Sequence, residues 1–97
     1  MAEADSRLSK LRYRAWRRGF READLILGPF ADSRLETMNE AELDAFEALL
    51  EVPDQDLYGW IMGREAPEPG HDGPVLAAVI AFREEARTAL GPDRLGG

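Results

Sequence analysis

At 97 residues the chain is bounded to one domain, near the smaller end of what folds around a single core. Nineteen acidic residues against 12 basic ones give a net charge of −7, and the absence of cysteine excludes disulfide frameworks and thiolate metal sites. The apolar content suffices for a modest core but not for an enclosed ligand chamber beside it, which favours a binding module over an enzyme with a deep cofactor pocket.

The first residues, Met1 to Asp5, are acidic and lack the apolar stretch of a secretory signal, so a cytoplasmic protein is expected. Asp5 or Ser6 is placed to cap a first helix over Arg7–Arg18, in which Leu8, Leu11, Ala15 and Trp16 repeat at helical spacing and Tyr13 falls off the stripe. Gly19 is suited to end it, because glycine reaches positive φ without a Cβ penalty, and Arg17 and Arg18 would then sit where the helix dipole favours cations. A continuous helix through Gly19 would cost about 1 kcal/mol relative to alanine, and the break is the expected outcome. A second helix starts near Phe20 or Arg21 with Glu22 and Asp24 in its first turn. Leu25, Ile26 and Leu27 supply its apolar side, and Gly28-Pro29 is expected to stop it.

Asn39-Glu40-Ala41-Glu42 reads as a capping box, followed by an amphipathic stripe of Leu43, Phe46, Leu49 and Leu50. Pro53 ends this third helix, and Asp54 is a candidate cap for a short fourth, closed by Gly63. Leu57, Trp60 and Ile61 point inward there, Tyr58 points elsewhere, and Gly59 is a candidate for a close helix–helix approach. Residues 64–73, rich in Pro, Gly and Glu, form a loop. Pro74 suits the first position of a last helix whose buried side is Val75, Leu76, Val79, Ile80 and Phe82, with Gly91-Pro92 as its stop. No segment alternates as a strand. The expected fold is therefore all-α, a small bundle of about five short helices in a single domain, with an ordered core over about residues 6–91 and flexible ends. The apolar run Val75–Phe82 falls well short of the ~20 residues that span a membrane, so no membrane insertion is expected.

A catalytic apparatus is hard to find in this pattern. One histidine, no cysteine and dispersed carboxylates offer no metal-ligand cluster. His71 reads as an exposed loop histidine with no nucleophile near it, and no phosphate-cradling glycine loop is present. Charge asymmetry is the stronger signal: Arg7, Lys10, Arg12, Arg14, Arg17, Arg18 and Arg21 all precede Asp24, on an otherwise acidic chain. This suggests a directed contact with an anionic partner surface, while the acidic remainder argues against nucleic acid. At one helix corner Trp16, Arg17, Arg18, Phe20 and Arg21 combine the residue types enriched in binding hot spots. The alternative use of the same residues is structural, with Gly19 as helix stop and Arg18 and Glu22 as dipole partners or a salt bridge.

Arg18-Gly19-Phe20-Arg21-Glu22-Ala23-Asp24-Leu25-Ile26-Leu27, followed by Phe30, resembles the RGxxExDxxL signature of the SdhE family, the FAD assembly factors of succinate dehydrogenase. A second block agrees: Phe46 to Glu51 and Asp54 to Met62 are similar to that family's F-x-x-L-L-E…D-x-D-L-[YF]-x-W-[LI] segment. The resemblance covers about Leu8 to Arg87, and the loop at 64–73 and the tail diverge. It implies a five-helix, non-enzymatic protein that binds the flavoprotein subunit of succinate dehydrogenase, and in some bacteria that of fumarate reductase. That subunit would hold the FAD and the acceptor histidine, and this chain, a monomer with no stably bound cofactor, would promote their covalent union. By this likeness Arg18, Gly19 and Glu22 lie at the contact, supported by Trp16, Arg17, Phe20 and Asp24. Members of the family are also described as antitoxins against a small membrane-associated toxin, which is the competing expectation.

Overall fold

The computed structural model describes residues 2–90, with side chains described for residues 6–86. Five α-helices follow in order: α1 (Ala2–Trp16), α2 (Arg21–Arg34), α3 (Glu40–Leu50), α4 (Asp54–Ile61) and α5 (Pro74–Leu90). A single 3-10 turn, Leu35–Thr37, extends the end of α2. Among the described residues there is no strand, and no helix is long and apolar enough to cross a membrane. The all-α expectation holds.

The second helix is the central element, meeting α1, α4 and α5. Its buried residues Ala23, Leu27, Phe30 and Ala31 recur at three- and four-residue steps, the period of one helix face. Phe30 joins the layers, its ring 5.6 Å from Phe46 of α3 and 5.6 Å from Phe82 of α5, the latter edge-on. Trp60 and Leu57 of α4 and Val75, Leu76 and Val79 of α5 complete the core, as their spacing predicts. The capping box at α3 is formed in both directions: Glu42 N donates to Asn39 Oδ1 at 2.8 Å, and Asn39 N to Glu42 Oε1 at 2.9 Å.

Several boundaries differ from expectation, each for an identifiable reason. The first helix begins at Ala2 and ends at Trp16, so Arg17 and Arg18 leave the helix instead of forming its last turn. Ser6 lies inside it, and the Asp5 side chain lies outside the described residues, as does the expected stop at Gly91-Pro92. The second helix does not stop at Gly28-Pro29 but runs on to Arg34. An interior proline costs on the order of 3 kcal/mol. Here the continuation buries Phe30, Ala31 and Leu35, side chains worth about 1.5–3 kcal/mol each when large and apolar. Leu25, Ile26 and Leu27 do not share a face, since consecutive helical residues diverge by about 100°. Leu27 is buried, Ile26 half-buried and Leu25 exposed. Asp54 is the first residue of α4, behind Pro53 at the cap position, and its carboxylate is engaged elsewhere. Gly59 receives no neighbouring helix; a Cβ there would meet only the Glu65 side chain, at 3.4 Å.

Candidate functional site

Between α1 and α2 the backbone turns through Arg17, Arg18, Gly19 and Phe20. Gly19 has φ +92°, a conformation that L side chains rarely adopt, and nothing lies within 4 Å of where its Cβ would be. The helix break therefore falls where expected, but the requirement for glycine comes from the backbone alone. Asp24 closes the turn from the far side: its Oδ1 accepts from Arg18 N at 3.1 Å, while its own N–H reaches Phe20 O at 2.9 Å. The first bond ties the turn's Arg18 amide to the first turn of α2, and the second is the opening i→i−4 bond of that helix.

The Arg18 side chain does not point at solvent. Its guanidinium donates from Nε to Asp54 Oδ1 (2.7 Å), from Nη1 to Leu50 O (2.7 Å) and from Nη2 to Val52 O (2.6 Å). Only 7% of the side chain is exposed. The two carbonyls belong to the end of α3 and the residues just past it, where helical acceptors have run out of intrahelical partners. Arg18 thus ties the α1–α2 turn to the α3–α4 corner. Its ion pair is with Asp54, not with Glu22.

The other N-terminal cations are sorted by helix face. On one flank of α1, Arg7 pairs with Asp44 (2.6 Å) and Glu47 (3.1 Å), and Arg14 with Glu51 (2.5 Å), all along α3. Its hydrogen bond to Asp44 is the main influence holding Arg7 above the ordinary guanidinium pKa, against a smaller opposing effect of desolvation. On the opposite flank Arg12 faces Asp32 (3.9 Å) and Glu36 (3.3 Å). The basic segment is therefore largely neutralised by the acidic body itself. Half-exposed pairs such as those of Arg12 and Arg14 contribute roughly 0–1 kcal/mol each, and their larger effect is to set how α1 lies between α2 and α3.

Trp16 lies over Gly28. A Cβ at that position would fall 2.5 Å from Cε2 and 2.6 Å from Cε3 of the indole, so glycine is what allows the ring to lie flat on α2. Its Nε1 donates to Asp32 Oδ2 at 3.2 Å, and 39% of the residue remains exposed. Phe20 stacks on Tyr58 at 5.1 Å between centroids, and Arg64 covers the Tyr58 ring at 5.7 Å. Glu22 is exposed and makes no hydrogen bond or ion pair with the described residues. The predicted site residues are thus gathered at one corner but differ in role. Arg18, Gly19 and Asp24 build the turn, Phe20 and Trp16 pack its flanks, and Arg17 and Glu22 face outward.

A shallow cleft of about 240 Å³ beside the turn is lined by Tyr13, Arg14, Arg17, Arg18, Leu50 and Asp54. That is below the range of roughly 300–1,000 Å³ typical of small-molecule sites. Another, of about 300 Å³, holds His71 among Glu51, Asp56 and Glu68. His71 is half-buried against Trp60, with centroids 5.5 Å apart, instead of lying free in its loop. No group of side chains among the described residues is arranged to hold a metal ion.

A family model described as flavinator of succinate dehydrogenase matches residues 9–83. The chain belongs to this family. It is 39% identical over 86 residues to the FAD assembly factor SdhE of Acetobacter pasteurianus, covering 89% of this chain and 76% of that protein. Against the protein of the same name from Pectobacterium atrosepticum it is 39% identical over 78 residues, 80% and 84% of the two chains. A mitochondrial relative, succinate dehydrogenase assembly factor 2 of Candida glabrata, is 40% identical over 95 residues and is longer, this chain covering 62% of it. No solved structure matches the chain.

Within this family member, sequence reasoning missed Asp54 and Arg64. Asp54 reads as a helix cap because its spacing from Pro53 suggests one, and nothing local marks a partner 36 residues upstream. Arg64 lies at the start of a loop without periodicity, and nothing local marks its contact with Tyr58, which packs on Phe20.

Proposed function

We propose that this protein is an assembly factor that binds the flavoprotein subunit of succinate dehydrogenase and promotes covalent attachment of FAD to it. Membership of the flavinator family is the first support for that reading. The single structural observation that carries it is Glu22. In a signature whose Arg18, Gly19 and Asp24 all have internal roles, Glu22 is exposed with no partner among the described residues, and so is available to meet another protein. The small open cleft at the corner fits a division of labour in which the partner holds the flavin. This chain's part is then positioning: it holds the client's domains where flavin and acceptor meet, converting an encounter into an effectively intramolecular step. The relatives named above carry assembly-factor descriptions and none an antitoxin one, so the antitoxin reading has no support here.

The test is the flavin fluorescence of the denatured flavoprotein subunit, produced with and without this protein. Denaturation strips non-covalent FAD, so the remaining signal counts the covalent bond. We expect covalent flavin to depend on this chain and to fall severalfold with Glu22→Gln, which conserves shape and removes charge. Undiminished covalent flavin in the absence of the chain would refute the proposal.

A further inference from the structure

The cations left over after the chain has neutralised itself are not scattered. Among the described residues, four basic side chains have no carboxylate partner: Lys10, Arg17, Arg21 and Arg64. Three of them are linked to the Gly19 turn. Arg17 and Arg21 flank it in sequence, and Arg64 is carried there by the aromatic stack, since Tyr58 packs on Phe20 and Arg64 on Tyr58. All three are exposed. Two are also held in place: the Arg17 guanidinium lies 5.0 Å from the centroid of Tyr13, itself 62% exposed, and Arg64 lies 5.7 Å from that of Tyr58. A guanidinium resting on an aromatic face keeps its charge and its planar fork of donors while losing rotamer freedom in advance of binding.

This arrangement is unusual in a chain with 19 acids for 12 bases, where arginines elsewhere find carboxylates even across 51 residues, as Arg34 does with Glu85. We propose that Arg17, Arg21 and Arg64 form a cationic docking surface around the Gly19 turn that receives carboxylates on the folded surface of the client flavoprotein. The inference rests on the assembly reading and adds to it Arg64, from the loop after α4, as a contact residue. Charge complementarity selects the occupant. A carboxylate-bearing protein surface can pair three discrete guanidiniums, whereas a polyanion meets the exposed Glu22 and a body of net charge −7.

The experiment is calorimetric titration of the full chain into the purified flavoprotein subunit, at low salt and at about 1 M salt, where the Debye length falls to about 3 Å. Arg17→Gln and Arg64→Gln are each expected to weaken binding about tenfold at low salt and to flatten its salt dependence. Arg64→Lys, which keeps the charge but not the planar fork, should recover about half of the loss on a logarithmic scale. Arg34→Gln, a matched charge removal on the far part of α2, should leave affinity within about twofold. Thermal unfolding of each variant confirms that the fold is kept. If the unmodified chain binds but Arg64→Gln binds equally well, this inference falls and the assembly reading stands. If the unmodified chain does not bind the subunit at all, both fall. Loss of binding to phosphatidylglycerol vesicles or duplex DNA in these variants, with flavoprotein affinity unmoved, would also overturn it.

Discussion

Replacing Arg18 by alanine tests the internal role assigned to that side chain. Its guanidinium is 7% exposed and makes charge-assisted bonds of 2.6–2.7 Å to Asp54, Leu50 O and Val52 O. Breaking one side of a buried ion pair costs about 3–5 kcal/mol. Asp54 is 34% exposed, so water recovers part of that, but two carbonyls at the end of α3 lose their donor at about 1 kcal/mol each. We expect a net loss of about 3 kcal/mol. For a domain of this size each kcal/mol moves the midpoint by about 4–8 °C, so Tm should fall by roughly 12–24 °C. Urea unfolding followed by far-UV circular dichroism measures it directly. Arg18→Lys should lose about half as much, because an ammonium cannot serve three acceptors in one plane. The neighbouring Arg17→Ala should cost less than about 0.5 kcal/mol. Equal stabilities for the Arg18 and Arg17 variants would refute the reasoning. Native stabilities are only about 5–15 kcal/mol, so a loss of function on changing Arg18 would arise largely through folding and would not by itself identify a contact.

Two further substitutions separate local causes at the same corner. Gly28→Ala places a methyl inside the Trp16 indole and should cost about 1–3 kcal/mol, with red-shifted tryptophan emission as the ring is expelled from α2. Adding Trp16→Ala should remove most of that penalty, and an additive double variant would show that the clash is not its cause. Gly19→Ala meets no neighbouring atom, so its cost is confined to the positive φ, about 1–2 kcal/mol by thermal unfolding. A larger loss would mean that the turn is packed more tightly than its geometry indicates.

Helix existence was legible in the sequence because it depends on local chemistry. Asn39 and Glu42 announce their capping box within four residues, Pro74 opens α5, and Trp60 lies in the core at the spacing that predicts it. What failed to read were outcomes decided at a distance. Gly28-Pro29 has the local form of a helix stop, and the burial of Ala31 and of Phe30, the latter against α3 and α5, carries α2 through it. Gly28 is also explained by Trp16, twelve positions earlier, and not by any turn. The Arg-rich segment could be recognised as basic, but its partners on α2 and α3 depend on how three helices pack. The turn itself was legible in part for a similar reason: Gly19 and Asp24 act within six residues of Arg18, while Asp54 reaches Arg18, and Arg64 reaches Tyr58, only through the fold.

The adjacent arginines Arg17 and Arg18 are put to different uses, stability for Arg18 and, on the proposed docking surface, recognition for Arg17. Arg18 is turned inward and its charge is consumed; Arg17 lies on Tyr13 with its charge unspent. The turn between them and Glu22 is fixed at three points: the Gly19 backbone, the Asp24 carboxylate below it, and the Arg18 bonds to the α3–α4 corner. Under the proposed function the contact must not yield, since each degree of freedom ordered on binding subtracts from affinity. Anchoring Arg18 internally therefore serves the exposed residues around it. Arg21 and Glu22 would then be presented from a backbone already held in place, with only their own side-chain freedom left to lose on docking, while Arg17 is already settled on Tyr13.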